Sequence, residues 1–157
     1  MDSEVELTFG RAKDEFFLAE KDMKLSIDPE AKSFFGVLPN KTYFHSVISH
    51  AYFSIFYSAR AYLISKQIKV SPPKEHQKTY DRFKEQVEKG ELDKELLKIY
   101  ENELMKASAL LHLFKRARKK RGLFTYNVLS EANIPHAQES ISYAREFVST
   151  IGAVLKL

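Results

Sequence analysis

The stretch that decides the fold of this chain is FHSVISHAYFSIFYSARAYLI, residues 44–64. It belongs to a predicted helix of about Lys41 to Lys66, which carries two stripes spaced by three and four residues. The first stripe is bulky and apolar and comprises Phe44, Val47, Ile48, Ala51, Ile55, Phe56, Ala59 and Leu63. The second is a ridge of small residues that lets a neighbouring helix approach closely, namely Ala51, Ser54, Ser58, Ala61 and Ser65. A helix covered on so many sides is either the central helix of the fold or partly a dimer interface.

The residues before this helix predict one amphipathic helix and a short connection. A first helix is expected from about Ser3 to Leu25, with an apolar stripe of Val5, Phe9, Ala12, Phe16, Ala19 and Met23. The sequence Ser26-Ile-Asp-Pro29 is a stop signal. The apolar stretch from Ala31 to Leu38 is short, and we expect a loop or an irregular turn there.

The residues after the central helix predict three further helices. A shorter polar helix is expected from about Lys74 to Glu88. Asp93 can cap the next long helix, whose stripe is Leu96, Tyr100, Leu104, Ala107, Leu111 and Phe114. The last helix begins around Ser130 to Pro135, and its stripe is Ala137, Ile141, Ala144, Phe147 or Val148, Ile151 and Val154. The prediction is an all-α fold in one domain over residues 1–157, a bundle of four long helices plus one short helix.

Composition narrows the functional classes. The 157 residues are 44% hydrophobic and 29% charged, which is typical of a soluble globular domain. The absence of Cys excludes disulfides and thiolate metal sites, and it fits a cytoplasmic location. The most apolar stretch, Tyr43 to Ile64, contains Arg60 and two His, which disfavours a membrane span. No pattern indicates a metal centre or another cofactor.

A dense basic cluster closes the second-last long helix. Six cations occur in seven residues, Lys115, Arg116, Arg118, Lys119, Lys120 and Arg121. Seven positions go almost twice round a helix, so the cations surround the helix end instead of forming one stripe. Favourable interaction with the helix dipole accounts for one or two of them. The cluster is therefore either a solvated helix end or a site for phosphate groups. Because the formal net charge of the chain is only +4, phosphate binding would have to depend on this cluster and not on the charge of the whole surface.

Three residues at and after the cluster are candidates for contacts with phosphate. Arg121 either caps carbonyls of the preceding turn or binds a phosphate with its guanidinium fork. Tyr126 either fixes the turn as a buried aromatic or donates a hydrogen bond to a phosphate or a base. Asn127 is either a turn residue or a further polar contact.

The His residues carry a weaker signal. His45 and His50 lie five residues apart on the central helix, about 140° from each other, so they do not share a metal ion. We interpret them as packing residues, with a role at a dimer interface as the alternative. His76 is interpreted as a residue of a helix start, and His136 is expected to be exposed.

Three segments resemble the HEPN family, the higher eukaryote and prokaryote nucleotide-binding domains. The run from His45 to Ile64 is similar to the family's second helix. Lys74-Glu-His76 followed by Lys89-Gly-Glu-Leu-Asp-Lys94 resembles the connection between its middle helices. Arg121-Gly-Leu-Phe-Thr-Tyr126 lies where the family has Arg followed after four residues by Tyr or His. The resemblance covers about Glu6 to Val154 and implies an up-and-down helical bundle that pairs as a homodimer.

The resemblance also implies a class of function. Ribonuclease members of the family use Arg and His from two subunits to cut RNA without a metal ion, and some are toxins held by a minimal nucleotidyltransferase antitoxin. In this chain Arg121 matches, but Tyr126 stands where those members have His, and a phenol is a poor general base at neutral pH. The expectation is an RNA- or nucleotide-phosphate-binding protein, with Arg121 and Tyr126 as catalytic residues if it cleaves RNA. The alternative is a non-catalytic interaction or nucleotide-binding partner of a nucleotidyltransferase.

Overall fold

Residues 2–120 and 134–157 are described by the structure, a computed structural model, and within them the side chains of residues 2–110 and 134–157. This part of the chain forms six helices and no strand, so the predicted all-helical class is confirmed for it. The helices are α1 (Ser3–Ile27), α2 (Pro29–Phe35), α3 (Phe44–Ser65), α4 (Glu75–Glu88), α5 (Lys94–Lys120) and α6 (Ile134–Leu155).

The prediction of a loop between Ala31 and Leu38 was wrong, because α2 occupies most of it. Asp28 begins this helix by accepting a hydrogen bond from the backbone N–H of Glu30, at 3.0 Å. Gly36 ends it in the left-handed conformation, with a φ of 70°. The N–H of Val37 then donates to the carbonyl of Lys32 at 2.8 Å, a helix-ending bond that suits glycine one residue earlier. The hydrogen bonds at its two ends thus stabilise a short helix, which the pattern of apolar residues does not predict.

The central position of α3 is confirmed. It packs against α1, α4, α5 and α6. Every residue of the predicted bulky stripe is buried, and so are four of the small residues, Ala51, Ser54, Ser58 and Ala61. Burial of the small ridge brings neighbouring helices close on the side that the bulky stripe does not cover.

The long helices alternate in direction, and this arrangement places α2 at one end of the bundle. Met23 of α1, Phe44 of α3, Leu110 of α5 and Ala137 of α6 belong to one buried cluster. Since Met23 and Leu110 lie late in their helices and Phe44 and Ala137 lie early, α1 and α5 run towards this cluster, and α3 and α6 run away from it. We call this the α2 end of the bundle, because α2 directly follows α1 there.

Gly10 of α1 and Gly152 of α6 allow a test of packing between these two helices. An added Cβ at Gly10 meets no atom within 4 Å, whereas at Gly152 it lies 3.0 Å from Cζ of Phe9, a ring only 2% exposed. We expect Gly10→Ala to raise the free energy of unfolding by about 0.5–1 kcal/mol, through helix propensity alone. Gly152→Ala should instead lower it by on the order of 1 kcal/mol, because overpacking exceeds that gain.

Urea denaturation of both variants measures the difference. Equal stabilisation by the two substitutions would contradict the close contact between Gly152 and Phe9.

Candidate nucleic-acid interface

The structure places most of the predicted basic cluster on one helix. Lys115, Arg116, Arg118, Lys119 and Lys120 lie on the last described turns of α5. Helical spacing of 100° per residue distributes these five positions round the axis. Arg121, Tyr126 and Asn127 lie outside the described residues, so their predicted roles stay predictions.

The basic positions of α5 lie beyond the buried cluster at the α2 end of the bundle. Leu110 of α5 belongs to that cluster, together with Ala137 of α6. At a rise of 1.5 Å per residue, Lys115 lies about 7 Å and Lys120 about 15 Å beyond Leu110 along the axis. The five basic positions therefore lie beyond the level of this cluster along the axis of α5.

The positive charge of the protein is concentrated in this region. Between Glu103 and Glu131 the sequence has seven Lys or Arg and no acidic residue. The whole chain has 25 Lys and Arg against 21 Asp and Glu, which leaves 18 against 21 for the rest. The rest of the chain therefore carries a formal charge of −3. Such a separation of charge along the sequence favours the attraction of polyanions to this segment.

A buried polar network holds α5 to α6 on the N-terminal side of the basic positions. Glu103 of α5 is fully buried, and its Oε2 accepts a hydrogen bond from the hydroxyl of Ser140 at 2.6 Å. The ammonium group of Lys106 lies 2.9 Å from Oε1 of Glu103 and 3.0 Å from Oε1 of Glu139. Lys106 also donates to the backbone carbonyl of His136, at 3.0 Å. The network joins α5 to the first turns of α6 and thereby holds the two helices in one register.

The ionisation of the network follows from its burial. Burial raises the pKa of the Glu103 carboxyl, and the hydrogen bonds from Ser140 and Lys106 oppose this rise. A hydrogen bond from Asn102 and a second one from Lys106 lower the pKa of the more exposed Glu139. Lys106 is thus the cation that compensates a carboxylate within the protein. Sequence analysis missed this network, because a Glu and a Lys three residues apart look like an ordinary surface pair.

The His residues of α3 take part in packing, as interpreted. Nδ1 of His50 is hydrogen-bonded to the carboxylate of Glu15, and its Nε2 lies 3.7 Å from Oδ2 of Asp22. Glu15 is buried and also accepts a hydrogen bond from Arg11, at 3.3 Å. These contacts join α3 to α1. Burial lowers the pKa of His45, and the positive charge of Lys41 lowers it further. A role of either His at a dimer interface stays a prediction.

His76 makes contacts with α3 that the sequence did not indicate. It lies in the first turn of α4, where its Nδ1 shares a hydrogen bond of 2.9 Å with the hydroxyl of Tyr52. Its ring stacks on Phe56, with 4.1 Å between the ring centroids. Burial lowers the pKa of His76, and it raises the pKa of Tyr52 to about 12. The pair is neutral at pH 7 and connects α4 to α3; finding it required the register between these helices, which no motif encodes.

Two kinds of site are absent from the part of the chain that the structure describes. No group of three or more His, Asp or Glu side chains is arranged there to hold a metal ion. None of its helices combines the length and the apolar character needed to cross a membrane.

Loss of Lys106 should destabilise the protein strongly at neutral pH. In Lys106→Ala the buried Glu103 carboxylate loses its cation, which costs about 3–5 kcal/mol. Burial raises the pKa of Glu103 in the folded protein, and because Lys106 lowers it, loss of Lys106 raises it further. The loss is therefore complete only above the pKa that Glu103 has in the variant, and it shrinks as pH falls through that pKa, because the carboxyl then becomes neutral. Urea denaturation of wild type and variant at pH 7 and pH 5 measures both effects.

Lys98→Ala is the matched control, since the Lys98 side chain is 77% exposed and lies 3.9 Å from Glu95. It should change the free energy of unfolding by less than about 0.5 kcal/mol at either pH. A loss in Lys106→Ala as small as that of the control would show that the network contributes little.

Comparisons of this chain with protein-family models, curated protein sequences and solved structures give no match. The HEPN assignment therefore remains an expectation from three sequence segments, and function has to be inferred from charge and geometry.

Proposed function

We propose that this chain binds RNA or nucleotide phosphates through the basic end of α5, as a HEPN-like helical protein. The observation that supports this most is the extension of α5 to Lys120. It places five basic positions on the last described turns of α5, in a stretch of sequence that has no acidic residue between Glu103 and Glu131.

The number of cations favours a ligand over a simple helix cap. The carbonyl end of a helix gains about 0.3–1 kcal/mol from each nearby cation, an effect confined to the last turn. Like charges spaced by four residues, such as Lys115 with Lys119, repel each other and oppose that gain. A polyanion removes the repulsion and releases its own counterions when it binds.

The geometry of the network around Glu103 also supports the proposal. It ties α5 to α6 about three turns before the cations begin, so the direction of the helix end is set by the bundle. A site held in place before binding loses less conformational entropy when a ligand arrives.

The assembly and location are part of the proposal. We propose a homodimer in which two basic helix ends face one groove, and a minimal nucleotidyltransferase as the partner if the chain is the toxin half of a toxin–antitoxin pair. We also propose that it acts in the cytoplasm, since a chain without Cys suits a reducing compartment.

Removal of charge from the helix end should weaken RNA binding and its dependence on salt. For single strands the slope of log K against log salt is about −0.7 per phosphate neutralised. We expect Arg118→Ala, Lys119→Ala and Lys120→Ala together to reduce this slope by about 2 and to lower affinity for a short RNA at moderate salt. Fluorescence anisotropy with an end-labelled RNA at several salt concentrations measures both quantities.

The control removes the same charge elsewhere. Lys84, Lys94 and Lys98 are exposed and lie on α4 or at the start of α5. Their triple replacement by Ala should leave the slope nearly unchanged. Equal effects of the two triple variants would mean that RNA senses only net charge, and the proposed site would be rejected.

Cleavage of RNA separates the catalytic form of the proposal from the binding form. If the chain cleaves RNA, Arg121 would stabilise the charge of the phosphorane and Tyr126 would position the phosphate. We then expect purified Arg121→Ala to lose cleavage in the presence of a chelator, with RNA binding retained. Equal cleavage by wild type and variant would remove Arg121 from catalysis, and its complete absence in both would leave the binding function alone.

A further inference from the structure

The short helix α2 has the reverse of the usual distribution of polar and apolar residues. Its Lys32 is buried at 6% exposure, whereas the rings of Phe34 and Phe35 are 83% and 67% exposed. Leu38, just after the helix, is 75% exposed, and Ile27, just before it, is 54% exposed. This arrangement needs a specific cause, since the burial of apolar surface alone would place the aromatic rings inside and the Lys outside.

Lys32 fixes this arrangement. Its ammonium group donates hydrogen bonds to the backbone carbonyl oxygens of Pro39, at 2.7 Å, and Lys41, at 2.6 Å. The Lys32 side chain therefore ties α2 to the segment that leads into α3. With the Lys32 face held inwards, Phe34 lies on the opposite face, about 160° round the helix axis. Phe35 lies one turn after Lys32 and is nevertheless 67% exposed.

The two rings form a single aromatic surface. Their centroids lie 4.8 Å apart with an angle of 79° between the planes, an edge-to-face pair. An aromatic side chain of this kind can bury about 150–250 Å². A monomer that exposes such a surface commonly uses it to contact a ligand or a partner.

The aromatic pair lies at the same end of the bundle as the cations of α5. α1 and α5 both run towards the cluster of Met23, Phe44 and Leu110. Beyond this cluster α1 leads directly into α2, while α5 continues for ten residues to Lys120. Exposed rings of one helix and basic positions of another thus lie on the same side of this cluster along the bundle.

We propose that Phe34 and Phe35 form a base-stacking platform for single-stranded RNA whose phosphates contact the basic end of α5. Proteins that bind single strands combine positive charge for the backbone with aromatic rings for the bases. A duplex hides its bases from such a ring, so the platform selects unpaired RNA. The cations argue for RNA over a protein partner, because the segment from Leu104 to Ser130 contains no acidic residue that a protein rim would normally include. This inference rests on the proposed function and gives it a substrate class.

The absence of Trp from the chain allows a direct test. Phe34→Trp introduces the only indole, on an exposed ring position, and stacking of a base quenches its emission. We expect a single-stranded RNA of about 12 nucleotides, within the usual site sizes, to quench it, and a blunt duplex of the same length to leave it unchanged. Phe17→Trp is the matched control, because Phe17 is 56% exposed but lies in the middle of α1. Its emission should not respond to either RNA.

Affinity supplies the second measurement. We expect Phe34→Ala with Phe35→Ala to weaken binding of the single strand roughly 5- to 100-fold and binding of the duplex hardly at all. Phe17→Ala should bind both like the wild type. Because these rings are exposed, all the variants should keep the wild-type thermal unfolding midpoint, which checks that they fold.

The outcomes separate this inference from the proposed function. Unchanged affinity for the single strand in the double Ala variant, with weak binding by the α5 triple variant, would overturn the platform and leave the basic site standing. No binding of either RNA by the wild type would overturn both. A change in molar mass by light scattering in the double Ala variant, with RNA affinity unchanged, would identify the surface as a protein contact and also overturn the platform.

Discussion

The burial of α3 is the constraint on which the rest of the structure depends. Its bulky stripe and its small ridge are both inside, so four other helices have to be arranged around it. Phe44, at the start of α3, shares a buried cluster with Leu110 of α5. The direction of α5 beyond Leu110 is therefore set by contacts with the central helix, about 15 Å of helix before Lys120.

Two lysines, the buried Lys32 and the partly buried Lys106, fix elements at the α2 end of the bundle. Lys106 is paired with carboxylates and holds α5 against α6. Lys32 is satisfied by two backbone carbonyl oxygens and holds α2 against the segment before α3. Neither contact resembles a site, yet each fixes an element that carries a proposed binding residue. In both cases a cation positions structure at a cost in desolvation that its partners offset.

Much of the fold could be predicted from the sequence, because apolar residues repeat with the period of a helix over long segments. Asp93 was expected to cap α5, and its Oδ1 does accept a hydrogen bond from the N–H of Glu95, at 2.9 Å. α2 was missed because its stability comes from its caps and from Lys32, not from an apolar stripe. In α6, Val154 was placed on the buried stripe but is 47% exposed. Of the candidate site, only the run of basic residues could be predicted from the sequence. The contacts of Glu103 and His76 could not, because they depend on how helices distant in sequence align.

The run of like charges on α5 has a thermodynamic consequence. Lys115 with Lys119 and Arg116 with Lys120 are like charges one helical turn apart, and each such pair disfavours the helix by about 0.2–0.5 kcal/mol. Added electrolyte screens this repulsion and favours the helical state of these turns, while it weakens their attraction for a polyanion. Ionic strength therefore acts on this segment in two opposing ways, because it raises the local helix content and lowers the affinity for anions.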